Sequence, residues 1–406
     1  MKYTLLLITA LLFYSCSEKT TPLSSNPVSG IWQLSFEIQD SSRTFGIPAR
    51  LELDSALHMA LINGDERIEL SSFKREGDSV IVRLEPYLST LHFKIIRPDS
   101  IHGYWQDESR ENYKISFSGT PSAGSELYNP EWTERTYDAT FSYDCADCAY
   151  KTVGIFRSED GLLTGTFLTE SGDYRYLQGL TKKDGSFFMS CFDGAHLFYF
   201  TGTMNGDSIS DGMFYSGKHH HEQWNAVENP NAQLRDPDSL TFLKDGISSL
   251  DFSVKNINGD SVYFGEEQFR DKITVVQILG TWCPNCTDET RFWKSVATTY
   301  ANDVQIIPVA FERGNDFGRH IRAIDNYKKQ FALPYEVYLG GEVNKNNAAS
   351  VFSDLNAIMS YPTSIIIDKQ GKVRKIHTGF YGPSTGKYHT LYTERLRNEI
   401  EKLRAE

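Results

Sequence analysis

The sequence predicts a multi-domain chain, with a β-rich N-terminal region followed by a C-terminal α/β domain. Residues 30–119 and 128–228 are short alternating strands separated by turns, whereas residues 249–406 alternate apolar strands with stretches of helical period. A length of 406 residues is enough for two or three domains, and the 22 Tyr and 25 Phe favour β structure. The net charge of −12 argues against nucleic acid as a partner.

The N-terminus has the pattern of a secreted, lipid-anchored protein. Residues 1–15 predict a signal peptide, because Lys2 precedes an apolar run that is too short to span a bilayer, which takes about 20 residues. Cys16 follows directly and resembles the cysteine of a lipoprotein signal, which is lipidated and becomes the mature N-terminus. Residues 16–29 would then be the lipidated N-terminus and a polar tether. The alternative is a plain secreted protein with an incidental early cysteine.

The β-rich region contains two stretches that resemble each other. The segment DSIHGYW begins at Asp99 and DSISDGMF begins at Asp207, a spacing of 108 positions (207 minus 99). This recurrence predicts two related β-meanders, which could form two sheets or close into a barrel. Asn63-Gly64-Asp65 is a hairpin signal within the first of them.

Two further cysteines lie in the second β stretch, at Cys145 and Cys148. Their spacing suits either a local disulfide or part of a metal site, with Cys191 and the histidines at positions 219–221 as further ligand candidates. The surroundings predict strands and no helix start, so a structural bridge or free thiols are favoured over a metal. Cys191 itself lies in an aromatic run and is expected to be buried.

A polar linker is predicted at residues 229–248, before the α/β domain. Beyond it the pattern predicts a hairpin around Asn258-Gly259-Asp260, a strand at 305–311 and a helix at 317–331. A short helix is expected at 348–358, then strands at 363–367 and 373–377. The C-terminal helix has one apolar face, formed by Tyr392, Leu396, Ile400 and Leu403.

The chemistry of the chain is concentrated where a buried strand meets a helix. The apolar run 274–279 ends at Gly280, and Trp-Cys-Pro-Asn-Cys follows from Trp282 to Cys286. Cys283 falls at the helix N-terminus, where free amides and the helix dipole stabilise a thiolate. Cys286, one turn further on, can resolve a mixed disulfide. Half of a zinc site or an inert bridge are the alternatives, but no further Cys or His follows at ligand spacing.

The WCPNC motif, together with Tyr361-Pro362-Thr363, resembles the TlpA/ResA-like thiol–disulfide oxidoreductases of the thioredoxin fold. The resemblance covers about residues 250–403 and implies that Pro362 is cis, faces the cysteines and follows backbone that pairs with substrate. It assigns the site as follows: Cys283 and Cys286 catalytic, Trp282, Tyr361 and Pro362 substrate-binding, and Pro284 and Glu289 supporting.

One position departs from the thioredoxin pattern. Thioredoxins carry a buried Asp six residues before the first cysteine, and Gln277 stands there in this chain. A neutral amide cannot accept a proton as that carboxylate does, so general-base help from position 277 is not expected. Glu289 matches an acidic position that the family often carries three residues after the second cysteine.

The resemblance implies a reductase of protein disulfides that depends on an upstream electron donor and on no cofactor or metal. With the N-terminal pattern, it predicts a lipid-anchored protein of a Gram-negative cell envelope, facing the periplasm or the surface. A peroxiredoxin-like peroxidase is an alternative, disfavoured because Gly280 occupies the position where peroxidases need a Thr. The second alternative is a surface binding protein whose β-rich region recognises the partner.

Overall fold

The computed structural model of this chain describes residues 26–40, 43–122, 134–159 and 161–406. The predicted signal peptide, Cys16 and most of the tether lie outside these residues. Within them, no helix combines the length and the apolar character that crossing a bilayer requires.

The first sheet is antiparallel and follows the predicted first β stretch. Its strand order runs β4-β3-β2-β1-β9-β8-β7-β6-β5, so the first strand pairs with both the second and the last. Asn63 pairs with Glu66 across the two-residue turn that the sequence predicted. The strands are β1 (Gly30–Gln39), β2 (Thr44–Leu53), β3 (Met59–Asn63), β4 (Glu66–Leu70), β5 (Phe73–Glu76), β6 (Ser79–Arg83), β7 (Ser89–Arg97), β8 (Ser100–Asp107) and β9 (Lys114–Pro121).

The second sheet closes into a barrel. Its order is β11-β10-β18-β17-β16-β15-β14-β12-β13, and β11 also pairs with β12, which joins the two ends of an eight-stranded ring. Closure leaves no free strand edge within the ring. The strands are β10 (Glu134–Phe141), β11 (Tyr150–Glu159), β12 (Leu162–Thr169), β13 (Gly172–Asp173), β14 (Leu177–Thr181), β15 (Ser186–Phe192), β16 (Leu197–Asn205), β17 (Ser208–Ser216) and β18 (His220–Glu228).

The two sheets share one apolar core. Phe192, Leu197 and Tyr215 of the barrel are buried in the cluster that also contains Trp32 and Phe36 of β1. The rings of Phe36 and Phe192 lie 4.7 Å apart between centroids. Because separating the sheets would expose these aromatic side chains, we treat them as one body, the β body, formed by residues 30–121 and 134–228.

The C-terminal domain has a mixed seven-stranded sheet in the order β20-β19-β23-β22-β21-β24-β25. The three central strands β23, β22 and β21 are parallel, β24 runs antiparallel to β21, and β25 runs antiparallel to β24. The strands are β19 (Phe252–Lys255), β20 (Ser261–Phe264), β21 (Ile273–Leu279), β22 (Val304–Glu312), β23 (Tyr338–Glu342), β24 (Thr363–Ile367) and β25 (Val373–Thr378). The helices are α1 (Pro284–Thr299), α2 (Phe317–Gln330), α3 (Lys345–Val351) and α4 (Lys387–Ala405), with 3-10 turns at Pro237–Ser239, Glu266–Phe269 and Pro383–Thr385.

Strand β21 is buried on both faces and leads directly into helix α1. All seven residues of this strand are buried, with Ile273 and Val275 against α1 and α4, and Val276 and Ile278 against the opposite layer. The chain therefore leaves the sheet at its carboxyl edge and enters α1 directly at the cysteine motif, where ligands of α/β sheets commonly bind.

Two elements of this domain differ from the sequence prediction. The short helix expected at 348–358 is α3, which ends at Val351; beyond it Leu355 forms an isolated bridge with Leu243, so that stretch is held by tertiary pairing. Strand β23 was missed because its sequence, YLGGE, carries two glycines and no apolar run.

The predicted linker is attached to the domain by charge. The carboxylate of Asp238 pairs with Lys375 at 2.7 Å, with His377 at 2.5 Å and with Arg395. Burial alone would raise the pKa of Asp238, but hydrogen bonds from His377 and Lys375 lower it to about 2. The linker is polar because one of its residues, Asp238, belongs to an ion-pair cluster with the C-terminal domain, and this part of it is not a loose connection.

Candidate active site

Cys283 caps the N-terminus of α1. Its backbone is extended, Pro284 occupies the first helical position, and the Cys283 Sγ accepts a hydrogen bond from the amide of Cys286 at 3.2 Å. The sulfur therefore lies at the N-terminal end of the helix, facing this amide. Cys283 is 7% exposed and Cys286 fully buried, and neither is disulfide-bonded.

The turn before β24 faces the reactive cysteine. The Tyr361–Pro362 peptide bond is cis, as the resemblance implied, and the carbonyl oxygen of Tyr361 lies 3.6 Å from the Cys283 Sγ. Strands β21 and β24 pair antiparallel, with Ile278 opposite Thr363, so the residues that follow β21 and those that precede β24 meet at the same edge of the sheet. The sequence predicts this contact only through the resemblance, since 78 positions separate the two residues.

Trp282 is fixed beside the cysteine by three contacts. Its indole nitrogen donates to the carbonyl of Phe311 at 2.9 Å, its ring meets that of Tyr361 edge-on at 6.0 Å, and the guanidinium of Arg313 lies 4.5 Å from its centroid. A cation over an indole face is favourable, more so when shielded from water. Arg313 was not identified from the sequence.

A buried carboxyl lies one helical turn beyond Cys286. Glu289 accepts hydrogen bonds from Gln277 Nε2 at 2.9 Å and from Ser364 Oγ at 2.8 Å. Burial raises the pKa of Glu289 to about 7, although both hydrogen bonds favour its charged form. The amide of Gln277 also points at the carbonyl of Cys286, at 3.4 Å. Gln277 stands where thioredoxins have a buried Asp, and in this chain its side chain orients the carboxyl group of Glu289.

The thiol of Cys286 is held in its protonated form. Burial raises the pKa of Cys286 well above the usual value, and the neighbouring Cys283 and Glu289 raise it further. Cys286 can attack a mixed disulfide on Cys283 only after its thiol has lost a proton. Glu289, with a pKa of about 7, is the nearby carboxyl group that could influence this loss.

A second buried carboxyl supports the turn in front of the motif. Glu312 ends β22 and accepts hydrogen bonds from the amide and the hydroxyl of Thr281, both at 2.9 Å. Burial raises the pKa of Glu312 to about 7. The sequence signal was present, as an acidic residue at the end of the apolar run of β22, but its partner could not be read from it.

Comparisons with known proteins agree with this geometry. Residues 248–376 match the model of the AhpC/TSA family. The thioredoxin-like protein YneN of Bacillus subtilis is 26% identical over 137 residues, which are 34% of this chain and 73% of the relative. The thiol-disulfide oxidoreductase ResA of Geobacillus thermodenitrificans is 25% identical over 165 residues, 40% of this chain and 80% of that protein. The chain carries a thioredoxin-like thiol–disulfide oxidoreductase domain.

Among solved structures, a thiol:disulfide interchange protein of the thioredoxin family from Chlorobium tepidum is 19% identical to this chain over the aligned part. The alignment covers 42% of this chain and 99% of that structure, with a TM-score of 0.27.

The cysteines of the β body lie apart from this arrangement. Cys145 and Cys148 form a disulfide with 5.3 Å between their Cα atoms, one of the two outcomes favoured from the sequence, and Cys191 is buried in the barrel core. Of the histidines weighed as ligands, His219 contacts the hydroxyl of Tyr113 at 3.0 Å through Nδ1. Across the part of the chain that the structure describes, no group of three or more His, Cys, Asp or Glu side chains is arranged to hold a metal.

Proposed function

We propose that this chain is an extracytoplasmic reductase of protein disulfides, which uses Cys283 and Cys286 as its dithiol. One observation carries the proposal. The Cys283 Sγ accepts the amide hydrogen bond at a helix N-terminus and at the same time lies 3.6 Å from the backbone carbonyl of Tyr361. The first contact makes the sulfur a nucleophile, and the second gives a substrate backbone a place to align beside it.

The reaction has two displacements. The Cys283 thiolate attacks one sulfur of the substrate disulfide, which forms a mixed disulfide and releases the other substrate sulfur as a thiolate that takes up a proton. Cys286 then loses its proton and attacks the Cys283 Sγ, which breaks the mixed disulfide and releases the second substrate thiol. Two electrons pass to the substrate, and the enzyme is left with a Cys283–Cys286 disulfide for an upstream dithiol donor to reduce.

The surrounding residues take supporting roles in this proposal. Trp282, Tyr361 and Pro362 form the surface against which the substrate chain lies, and Pro284 starts the catalytic helix. Glu289, with a pKa near neutrality and one turn from Cys286, adjusts when Cys286 can give up its proton. The direction of the reaction is set by the relative stability of the dithiol and disulfide forms, and an upstream donor would make it a reduction.

The location that we propose is supported by the pattern at the N-terminus of the sequence. A signal peptide at residues 1–15 and lipidation at Cys16 would attach the chain to the cell envelope, with residues 16–29 as the tether. The remaining domains would be two related β repeats, at 30–119 and 128–228, a linker at 229–248, and the oxidoreductase domain at 249–406.

Alkylation of the reduced protein tests the roles of the two cysteines. At mildly acidic pH, iodoacetamide should label Cys283 first, because burial keeps Cys286 protonated and shielded. Peptide mass spectrometry identifies the labelled site, and Cys191→Ser serves as a control that should leave the pattern unchanged. Preferential labelling of Cys286 would contradict the assignment.

Trapping tests the activity itself. Cys286→Ser should hold a covalent mixed disulfide with reducible protein substrates from the native cell envelope, whereas Cys283→Ser should hold none. Insulin reduction with dithiothreitol and consumption of hydrogen peroxide by the reduced wild type then separate reductase from peroxidase. Peroxide consumption without insulin reduction would favour the peroxidase.

A further inference from the structure

A loop of the β body lies against the catalytic face of the oxidoreductase domain. Residues 170–175, here called the cover loop, connect β12 through β13 to β14. The side-chain amide of Asn285, inside the cysteine motif, donates to the carbonyl of Asp173 at 3.1 Å, and Ser360, just before Tyr361, donates to the carbonyl of Ser171 at 2.9 Å. The cover loop thus contacts both segments that border Cys283.

The approach is close enough to require a glycine. Gly172 has a φ of +143°, and a Cβ built on it would lie 2.1 Å from the side-chain nitrogen of Asn285. A side chain at this position would push aside the Asn285 amide that bonds Asp173, and it would have to adopt a backbone conformation that favours glycine. The cover loop is therefore shaped to the cysteine motif by its backbone.

A buried guanidinium holds this arrangement together. Arg175 has a side chain that is 5% exposed, and it pairs with Asp288 on the catalytic helix, with Glu66 of the first sheet at 3.0 Å and with Asp193 of the barrel at 3.5 Å. Asp288 also pairs with Arg291, and Asp193 with His196, but the Arg175–Asp288 pair is the ion pair of this cluster that joins the cover loop to the catalytic helix. Asp173 of the cover loop adds hydrogen bonds from the amide of Gly382 and the hydroxyl of Ser384, both at 2.7 Å. Removing Arg175 would leave its buried carboxylate partners without their shared charge and so weaken the contact between loop and helix.

The other side of the site is also contacted by the β body. Arg313, which lies over Trp282, points its guanidinium at Asp107 Oδ2, 3.4 Å away, and at Ser109 Oγ, 3.1 Å away, both from the first sheet. Cys283 consequently lies between two contacts of the β body and is only 7% exposed.

The interface that covers the site differs from the one inside the β body. The two sheets of the β body share a large aromatic core, whereas the contacts around the cysteines are ion pairs and hydrogen bonds. One small apolar cluster lies to the side, where Tyr381 and Tyr388 of the oxidoreductase domain pack against Val153, Leu168 and Ala232. Polar interfaces between domains can separate with little apolar surface exposed, and relative motion is their default.

We propose that the cover loop selects the substrates of Cys283 by size. A protein disulfide reaches the sulfur only after the contacts of the cover loop open, because a substrate chain beside Tyr361 needs the space next to Ser360 that the loop fills. A small disulfide has no such chain to place there and does not need that opening. The inference rests on the proposed disulfide-reductase function and adds a substrate class and a gate to it.

The test compares two disulfides in single-turnover reactions with the reduced full-length protein: glutathione disulfide as the small probe and insulin as the protein probe. Arg175→Met should speed insulin reduction by about tenfold or more, because opening becomes more populated, while the rate with glutathione disulfide changes by less than about twofold. Arg67→Met is the control, since Arg67 pairs with Glu52 and Glu69 of its own sheet, away from the cover loop, and its replacement should leave both rates unchanged.

Each outcome has a distinct meaning. If Arg175→Met leaves the insulin rate unchanged while both disulfides react, the gate is refuted and the reductase function stands. If neither disulfide oxidises the cysteines in any variant, the reductase function itself fails, and the gate with it.

A measurement on the wild type covers the case in which Arg175→Met does not fold. Cys283 should react with N-ethylmaleimide about tenfold or more faster than with a maleimide carried on a long polyethylene glycol chain, and urea should abolish this difference. Equal rates for the two reagents in the folded protein would refute the proposal that the cover loop limits access to Cys283.

Discussion

Replacing Glu289 by Gln should flatten the dependence of stability on pH. Burial raises the pKa of Glu289 from the usual 4.5 to about 7. Between these values the folded protein keeps the proton that the unfolded chain has lost. The stabilisation is therefore fully present below pH 4.5 and is lost as the pH rises through about 7, and the amide of Gln, which does not titrate, removes this dependence.

The size of the effect follows from the same two values. The pKa of Glu289 is about 2.5 higher in the folded protein (about 7) than its usual value of 4.5. At about 1.4 kcal/mol for each pKa unit, the free energy of unfolding falls by about 3 kcal/mol as the pH rises across this window. Glu312 is also buried with a pKa of about 7, so it should contribute a similar loss. Glu289→Gln should then show about half of the combined decline, Glu312→Gln about the same half, and the double variant little of it.

Urea unfolding of the reduced protein, measured from about pH 5 to about pH 8, gives the free energy of unfolding for each variant. Keeping both cysteines as thiols prevents the Cys283–Cys286 disulfide from adding its own stabilisation. If Glu289→Gln and the wild type lose stability in parallel over this range, Glu289 does not carry the raised pKa, and its proposed influence on Cys286 fails too.

Three other perturbations have defined outcomes. Cys16→Ser should move the protein from the membrane to the soluble fraction with its thiol chemistry unchanged; a protein that still sediments with membranes after a high-salt wash would contradict lipidation. Cys145→Ala/Cys148→Ala should lower the free energy of unfolding by about 2 kcal/mol or less, because so short a loop constrains the unfolded chain little, with disulfide reduction retained. A loss of turnover with the native donor alone would instead show that this pair relays electrons. Asp238→Asn should cost about 1 kcal/mol, after allowance for solvent screening, by weakening its contact with His377. That stabilisation is present above pH 3.8 and lost as the pH falls towards about 2, so urea unfolding should show wild type and variant converging in acid.

The sequence was most informative where local patterns decide the structure. Alternation predicted the β-rich region, and the apolar run before Gly280 with Pro284 after it predicted the strand and the helix start at the motif. These signals are local because the apolar period of an element, and the glycine or proline at its end, are properties of residues adjacent in the chain. Strand β23 has no such signal, since its glycines give it no apolar face and only pairing with β22 makes it a strand.

The parts of the site that escaped prediction depend on residues far apart in the chain. Arg175 looks like any arginine in a polar turn, and its importance appears only when Glu66 and Asp288, each more than 100 positions away, are brought to it. Likewise Gln277 was noticed only as a missing carboxylate, whereas the structure shows it orienting Glu289 on the next element. Closure of the barrel by β11 and β12 was left open for a similar reason, because a ring and an open sheet share the same alternation.

The shared core of the two β sheets also bears on the order in which the protein is made. An exported chain enters the oxidising compartment N-terminus first, so the β body, complete at Glu228, can fold there before Cys283 and Cys286 arrive. Cys145 and Cys148 can then already be joined, and Cys191 enclosed, when the two redox thiols appear. We expect this sequence of events to keep the newly made dithiol from pairing with the wrong cysteine, without help from a disulfide isomerase.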